Sequence, residues 1–208
     1  MYEDVIYGAP GTGEVRIDPA ELKRRLGAGV DESLPVMEKC RSALEAVLSY
    51  RYGYVCLPLS FPEEGLCRFG DEALQIRSRD LYKNLRSCSR AYLLCTTVGI
   101  GVDRLLKRLR ITSPAEYFIT DAMASAAVES LCDVLSGRLE QTAETTWGCD
   151  CRPRYSPGYG DCGIENQKLV LDRLNAGKLL GISLNEQYFM TPVKTITAIM
   201  GIKNEEYR

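Results

Sequence analysis

Read from the amino terminus, apolar residues recur first at helical spacing. Asp18-Pro19 followed by Ala20-Glu21-Leu22 and closed by Gly27 combines a capping carboxylate, a first-turn proline and a glycine stop, which predicts a short helix. Over residues 32–48, Leu34, Met37, Leu44, Val47 and Leu48 repeat near helical spacing, so a second helix is expected with Pro35 in its first turn. The pattern then changes. Residues 52–59 are rich in β-formers and end at prolines, and Leu74-Gln75-Ile76 alternates after the turn signal Gly70-Asp71, so two strands are expected. Ser78 caps a helix reaching about Leu85, and residues 91–98 form an unbroken apolar run that reads as a central strand ending at Gly99.

The clearest helix opens at Ser113-Pro114-Ala115-Glu116, a capping-box pattern, and is predicted to end near Leu139. Its stripe is Ile119, Met123, Ala127, Leu131 and Leu135, and alanines at 122, 124, 126 and 127 allow a neighbour to come close. Residues 141–163 show no period. A loop of that length inside a compact chain is usually functional, and its aromatics and cysteines argue against disorder. A helix over 165–174, broken by Gly177 and Gly181, and a strand over 194–200 complete the reading.

Composition narrows the chemistry. The 208 residues suffice for one large core, and a single domain over 1–208 is expected. No uncharged apolar run has the length of a membrane span, and Met1-Tyr2-Glu3-Asp4 is acidic where a secretory signal is basic, so the cytoplasm is expected. Charges nearly balance, 26 basic against 28 acidic, which gives no argument for a nucleic-acid partner. The local basic run from Arg104 through Lys107, Arg108 and Arg110 reads as a solvated helix face. Histidine is absent, which excludes Ser-His-Asp and Cys-His hydrolases. Nine cysteines without a signal segment read as thiols of a reduced compartment, with Cys56, Cys88, Cys95 and Cys132 as core filler.

Three motifs imitate known sites. Gly8-Ala9-Pro10-Gly11-Thr12-Gly13-Glu14-Val15 has a phosphate loop's spacing, but Glu14 stands in the lysine position and Val15 lacks the metal-binding hydroxyl, so a turn before a strand is expected. Gly99-Ile100-Gly101-Val102-Asp103-Arg104 resembles a dinucleotide fingerprint with Arg104 in place of its third glycine, and reads as a tight strand-to-helix turn. Cys149, Cys151 and Cys162 could supply three thiolates to zinc or an iron-sulfur cluster, or be unrelated thiols. No fourth ligand is evident.

The unperiodic stretch also holds Arg154-Tyr155-Ser156-Pro157-Gly158-Tyr159. Proline fixes one dihedral and glycine lets the backbone turn sharply or approach a ligand, so the segment reads either as a plain turn or as a binding loop. It resembles the R-P-A-P-G-Y-P element of the activation domain of cobalamin-dependent methionine synthase. Upstream, residues 127–135 are similar to the helix carrying that family's ligand-binding glutamate, with Glu129 in its place. Downstream, residues 180–184 and 190–192 are similar to further stretches in the same order, so the resemblance covers about residues 113–202.

The resemblance implies an α+β fold with a mixed, largely antiparallel twisted sheet and helices packed around it. It implies binding of S-adenosylmethionine by Glu129, Arg154, Tyr155, Ser156, Pro157, Gly158 and Tyr159, with Tyr159 facing the reacting centre and Tyr207 a loose match to a late tyrosine. Those residue types suit the ligand: a guanidinium for its carboxylate, a carboxylate for its ammonium and an aromatic ring for its sulfonium. The implied activity is reactivation of the synthase, a methyl transfer from S-adenosylmethionine to cobalamin carried by a partner subunit, with a flavodoxin- or ferredoxin-type electron donor and no metal site on this chain. A docking module that caps a corrinoid protein without this ligand, and a cysteine-ligated redox protein, are the alternatives.

Overall fold

Alternation along the strands decides which side of the sheet each residue meets. In the computed structural model, which describes residues 4–27, 35–70 and 72–204, the strands are β1 (Ile6–Gly8), β2 (Arg51–Ser60), β3 (Leu66–Phe69), β4 (Gln75–Arg77), β5 (Cys88–Thr97) and β8 (Thr195–Lys203). They form one antiparallel sheet in the order β4-β3-β2-β5-β8. Strand β2 shares one edge between two partners, β1 against its first half and β3 against its end. Its other edge pairs with β5 along nearly its full length. A separate hairpin joins β6 (Ser183–Leu184) to β7 (Met190–Thr191). All pairings are antiparallel, in agreement with the expected α+β architecture.

One face of the sheet carries Val55, Leu57, Leu59, Ala91, Leu93, Cys95 and Ile199. It is covered by α3 (Arg79–Leu85), α6 (Gln167–Arg173) and α7 (Ala176–Leu180), whose Leu81, Leu85, Val170, Leu171 and Leu180 join the same core. The opposite face presents Tyr92, Leu94, Ala198, Met200 and Ile202 to Cys132, Leu135, Leu139 and Ala143 of the long helix α5 (Pro114–Trp147). Strand β5 is thus covered on both faces, which is why its sequence is apolar without alternation. The first part of α5 packs elsewhere. Its Ala122, Met123, Ala126 and Ala127 meet α1 (Pro19–Leu26), α2 (Pro35–Glu45) and α4 (Ile100–Thr112) in a core of their own, the small residues permitting close approach.

Several expectations need correction. Helix α5 runs to Trp147, eight residues beyond Leu139: Glu140, Gln141, Ala143 and Glu144 favour a helix, the hydroxyls of Thr142 and Thr145 are satisfied by carbonyls one turn back, Trp147 packs on the core, and Gly148 in the left-handed region closes the end. Ser113 makes no side-chain cap, and Glu116 pairs with Lys39 at 2.7 Å. Helix α2 ends at Glu45, and residues 32–34 lie outside the described residues, as does Asp71. The break after α6 falls at Asn175, with positive φ, while Gly177 lies inside α7 and only Gly181 terminates it. The Gly8–Val15 segment begins at the last residue of strand β1 and leads to α1, so no strand comes after its turn. At the 99–101 turn the backbone packing is as tight as expected: a Cβ on Gly101 would lie 2.7 Å from the Val47 carbonyl oxygen.

Candidate functional site

Strand β8 is the last strand of the sheet, and the 150–155 segment lies along its outer edge. Arg152 N–H donates to the Gly201 carbonyl at 2.7 Å, Tyr155 and Ile199 exchange bonds at 2.8 Å in both directions, and Lys203 N–H donates to Asp150 at 3.0 Å. These bonds make the segment behave as a strand, and adjacent side chains therefore point to opposite faces. Tyr155 packs on the core beneath α3 and α6. Arg154 turns the other way, toward α5.

There the Arg154 guanidinium donates to the Asp133 carboxylate at 2.7 Å and to Ser136 Oγ at 3.0 Å, and lies 3.9 Å from Glu129. Glu129, Asp133 and Ser136 are at i, i+4 and i+7 on α5, so one helix face presents all three. Arg25 of α1 approaches Glu129 from the other side at 3.8 Å. The result is a cluster of two guanidinium and two carboxylate groups at the solvent boundary. The Arg154 side chain is 25% exposed, Glu129 39% and Asp133 66%. Beneath it, burial pushes the Cys132 thiol up to about 11, outweighing the opposing pull of the Arg154 charge.

Beyond Tyr155 the chain closes on itself. Gly158 N–H donates to the Cys162 carbonyl at 2.8 Å, Cys162 N–H to the Tyr159 carbonyl at 3.0 Å, and the Tyr155 hydroxyl to that same Tyr159 carbonyl at 2.8 Å. The Ser156 carbonyl accepts the Tyr159 N–H, and Pro157 is buried under the turn. Gly158 has φ of 95° and Gly160 φ of 54°, and a Cβ at Gly160 would run into the Asp80 carboxylate, so the turn requires glycine at both places. Asp161 fastens the turn to α3: its carboxylate accepts from the Ser78 hydroxyl and from the backbone N–H of Arg79 at 2.8 Å and of Asp80 at 3.1 Å. These bonds hold the Asp161 carboxyl below its ordinary value, the Ser78 hydroxyl being the largest contributor.

The structure therefore brings Arg154 and Glu129 together, two positions set far apart in the sequence. Tyr159 stands 70% exposed at the tip of the turn, with its carbonyl held on the Tyr155 side. Tyr207 lies outside the described residues. Asp133, Ser136 and Arg25 were not anticipated; the first two were legible from their helical spacing relative to Glu129, whereas Arg25 arrives through the packing of α1 on α5. The cysteines do not converge: Cys162 belongs to the core on the α3 and α6 side, and Cys149 to the core on the α5 side. Among the described residues no group of three or more potential ligands is arranged to hold a metal ion, and no helix is long and apolar enough to cross a membrane.

No protein-family model matches the sequence, and no curated protein does. Among solved structures, a crystal structure of the MetH reactivation domain bound to AdoHcy matches over 98% of this chain and 80% of that one, with a TM-score of 0.65 at 13% identity. At that identity the likeness is one of backbone architecture, and it extends well upstream of residue 113, where the sequence resemblance began. The chain has the fold of the MetH reactivation domain.

Proposed function

We propose that the chain binds S-adenosylmethionine between the 154–159 turn and the Glu129 face of α5, and that it supports reductive methylation of cob(II)alamin to methylcobalamin on a partner corrinoid subunit. The observation that carries this reading is the juxtaposition of Arg154 and Glu129, 3.9 Å apart, in a fold whose solved neighbour holds AdoHcy. An amino-acid head group carries carboxylate and ammonium on one carbon, and a guanidinium beside a carboxylate is its charge complement. Arg154 has donors beyond the two bonds it makes to Asp133 and Ser136, so the donor set fits the ligand.

On this reading Arg154 orients the ligand carboxylate, Glu129 takes the ammonium, and the rigid turn through Gly158 offers backbone groups to the rest of the molecule. When bound, S-adenosylmethionine supplies the methyl group. The chain's own contribution is alignment and exclusion of water, with Tyr159 on the exposed tip turned to the partner. The corrinoid and an electron donor of flavodoxin or ferredoxin type come from other proteins, and the setting is cytoplasmic.

Titration calorimetry with S-adenosylmethionine tests the reading. Saturable heat is expected for the unaltered chain and at least roughly tenfold weaker binding for Arg154→Ala and Glu129→Ala, the loss typical of a charge-assisted bond. Absence of heat from a folded sample at millimolar ligand refutes it. One observation favours a second reading: Arg154 is already engaged by Asp133 and Ser136, as it would be in a docking module that caps a corrinoid protein without this ligand. That module would bind the corrinoid protein equally well with and without S-adenosylmethionine.

A further inference from the structure

Helix α4 turns basic side chains onto one exposed face. Arg104, Lys107, Arg108 and Ile111 are at i, i+3, i+4 and i+7, all exposed, and Arg110 adds a fourth exposed cation beside them. The other face, with Val102, Leu105, Leu106 and Leu109, is buried. Among the described residues no carboxylate pairs with any of these four cations. Asp103, the nearest acid along the helix, is engaged by the Val193 N–H at 2.9 Å. Like charges at this spacing oppose the helix. The helix dipole favours Arg110 in the last turn, but it does not account for Arg104 in the second.

We infer that this face of α4 docks an acidic protein surface of small footprint. The sign of the charge sets the partner's chemistry, and two exposed isoleucines set its ends: Ile100 opens the stripe at 42% exposure and Ile111 closes it at 81%. Val193, 65% exposed, is tied beside the first end by its bond to Asp103. The stripe is about 16 Å long by helical rise. A chain of net charge −2 has no general attraction for polyanions, so an acidic partner is drawn by the patch alone. Arginines flanked by aliphatic contacts also suit a protein interface, and the charges would hasten the encounter and make it sensitive to salt. This inference does not depend on the ligand reading.

The test uses the full chain with three probes: a fluorescently labelled glutamate-rich peptide, phosphatidylserine vesicles and a short duplex DNA. Binding of the peptide is read by anisotropy at low and at physiological salt. The expected result is peptide binding that weakens about tenfold in the double variant Arg104→Glu/Arg108→Glu and falls with salt, while the control Arg51→Glu/Lys178→Glu, reversing exposed cations elsewhere, binds as the unaltered chain does. Should the reversal impair folding, Arg104→Gln/Arg108→Gln carries the same comparison with a smaller loss. Equal peptide affinity in the α4 variant and the unaltered chain overturns the inference, as does an equal loss in the control. So does tighter, α4-dependent binding to vesicles or DNA than to the peptide.

Discussion

Replacing Asp133 with asparagine isolates the competition at Arg154. Asp133 holds the guanidinium at 2.7 Å through a carboxylate, the same group that a bound amino-acid ligand would present. A charged hydrogen bond away from water is worth about 1.5–3 kcal/mol, but Asp133 is 66% exposed, which reduces its hold to about 0.5–1 kcal/mol. If the ligand carboxylate displaces Asp133, that amount is subtracted from the binding energy. Asp133→Asn keeps the side-chain shape and removes the charge, so S-adenosylmethionine should bind about two- to fivefold more tightly. Calorimetry on both proteins measures it, and the difference should shrink in about 0.5 M salt, where surface charges are screened within about 4 Å. The cost to the fold is small, a melting temperature lowered by no more than about 4 °C. Unchanged or weaker binding in the variant refutes displacement and means that Asp133 stays on Arg154 in the complex.

Other outcomes follow from the same geometry. Because the Asp161 carboxyl sits below its ordinary value in the folded chain, its stabilisation of the turn is present above the ordinary carboxylate value of 3.8 and is lost as pH falls through the lowered one; Asp161→Asn should flatten that part of the stability profile, and an unaltered acid limb would count against this anchor. Gly137→Ala, with nothing within 4 Å of the added carbon, should stabilise α5 by about 0.5–1 kcal/mol in chemical denaturation, while Gly101→Ala, which meets the Val47 carbonyl, should destabilise by about 1–3 kcal/mol; the opposite signs would disprove the packing at the 99–101 turn. Burial pushes Cys67 up to about 12 and Cys162 up to about 11, so at pH 8 these thiols should react with a disulfide reagent only after unfolding, and prompt modification mapped to either by mass spectrometry would contradict their placement.

The parts of this fold that were legible in the sequence are those decided by neighbours along the chain. Asp18 and Gly27 delimit α1 because a capping carboxylate and a glycine stop act within one turn, and Ser78 begins α3 for the same reason. The run ending in Val98 reads as a central strand because burial on both faces removes its alternation. Strands β1 and β3 were missed because they exist through pairing: Ile6 is a strand residue opposite Tyr54, and Phe69 opposite Leu59. The last turns of α5 were missed because only Ala143 there is fully buried and Trp147 packs on the core from the helix end, leaving no stripe to see. At the site, Arg154 and Glu129 came from likeness to a known family, whereas the grip of Asp133 on Arg154 depends on which face of β8's neighbour the arginine takes, and that is decided by the bonds of Tyr155 to Ile199.

Those bonds have a consequence for solubility. The strip that carries Arg154 is also what blocks the open edge of β8, whose backbone groups would otherwise form a template for another molecule's strand. Damage to the 150–155 segment should therefore show itself first as clumping between molecules, ahead of any loss of the proposed ligand.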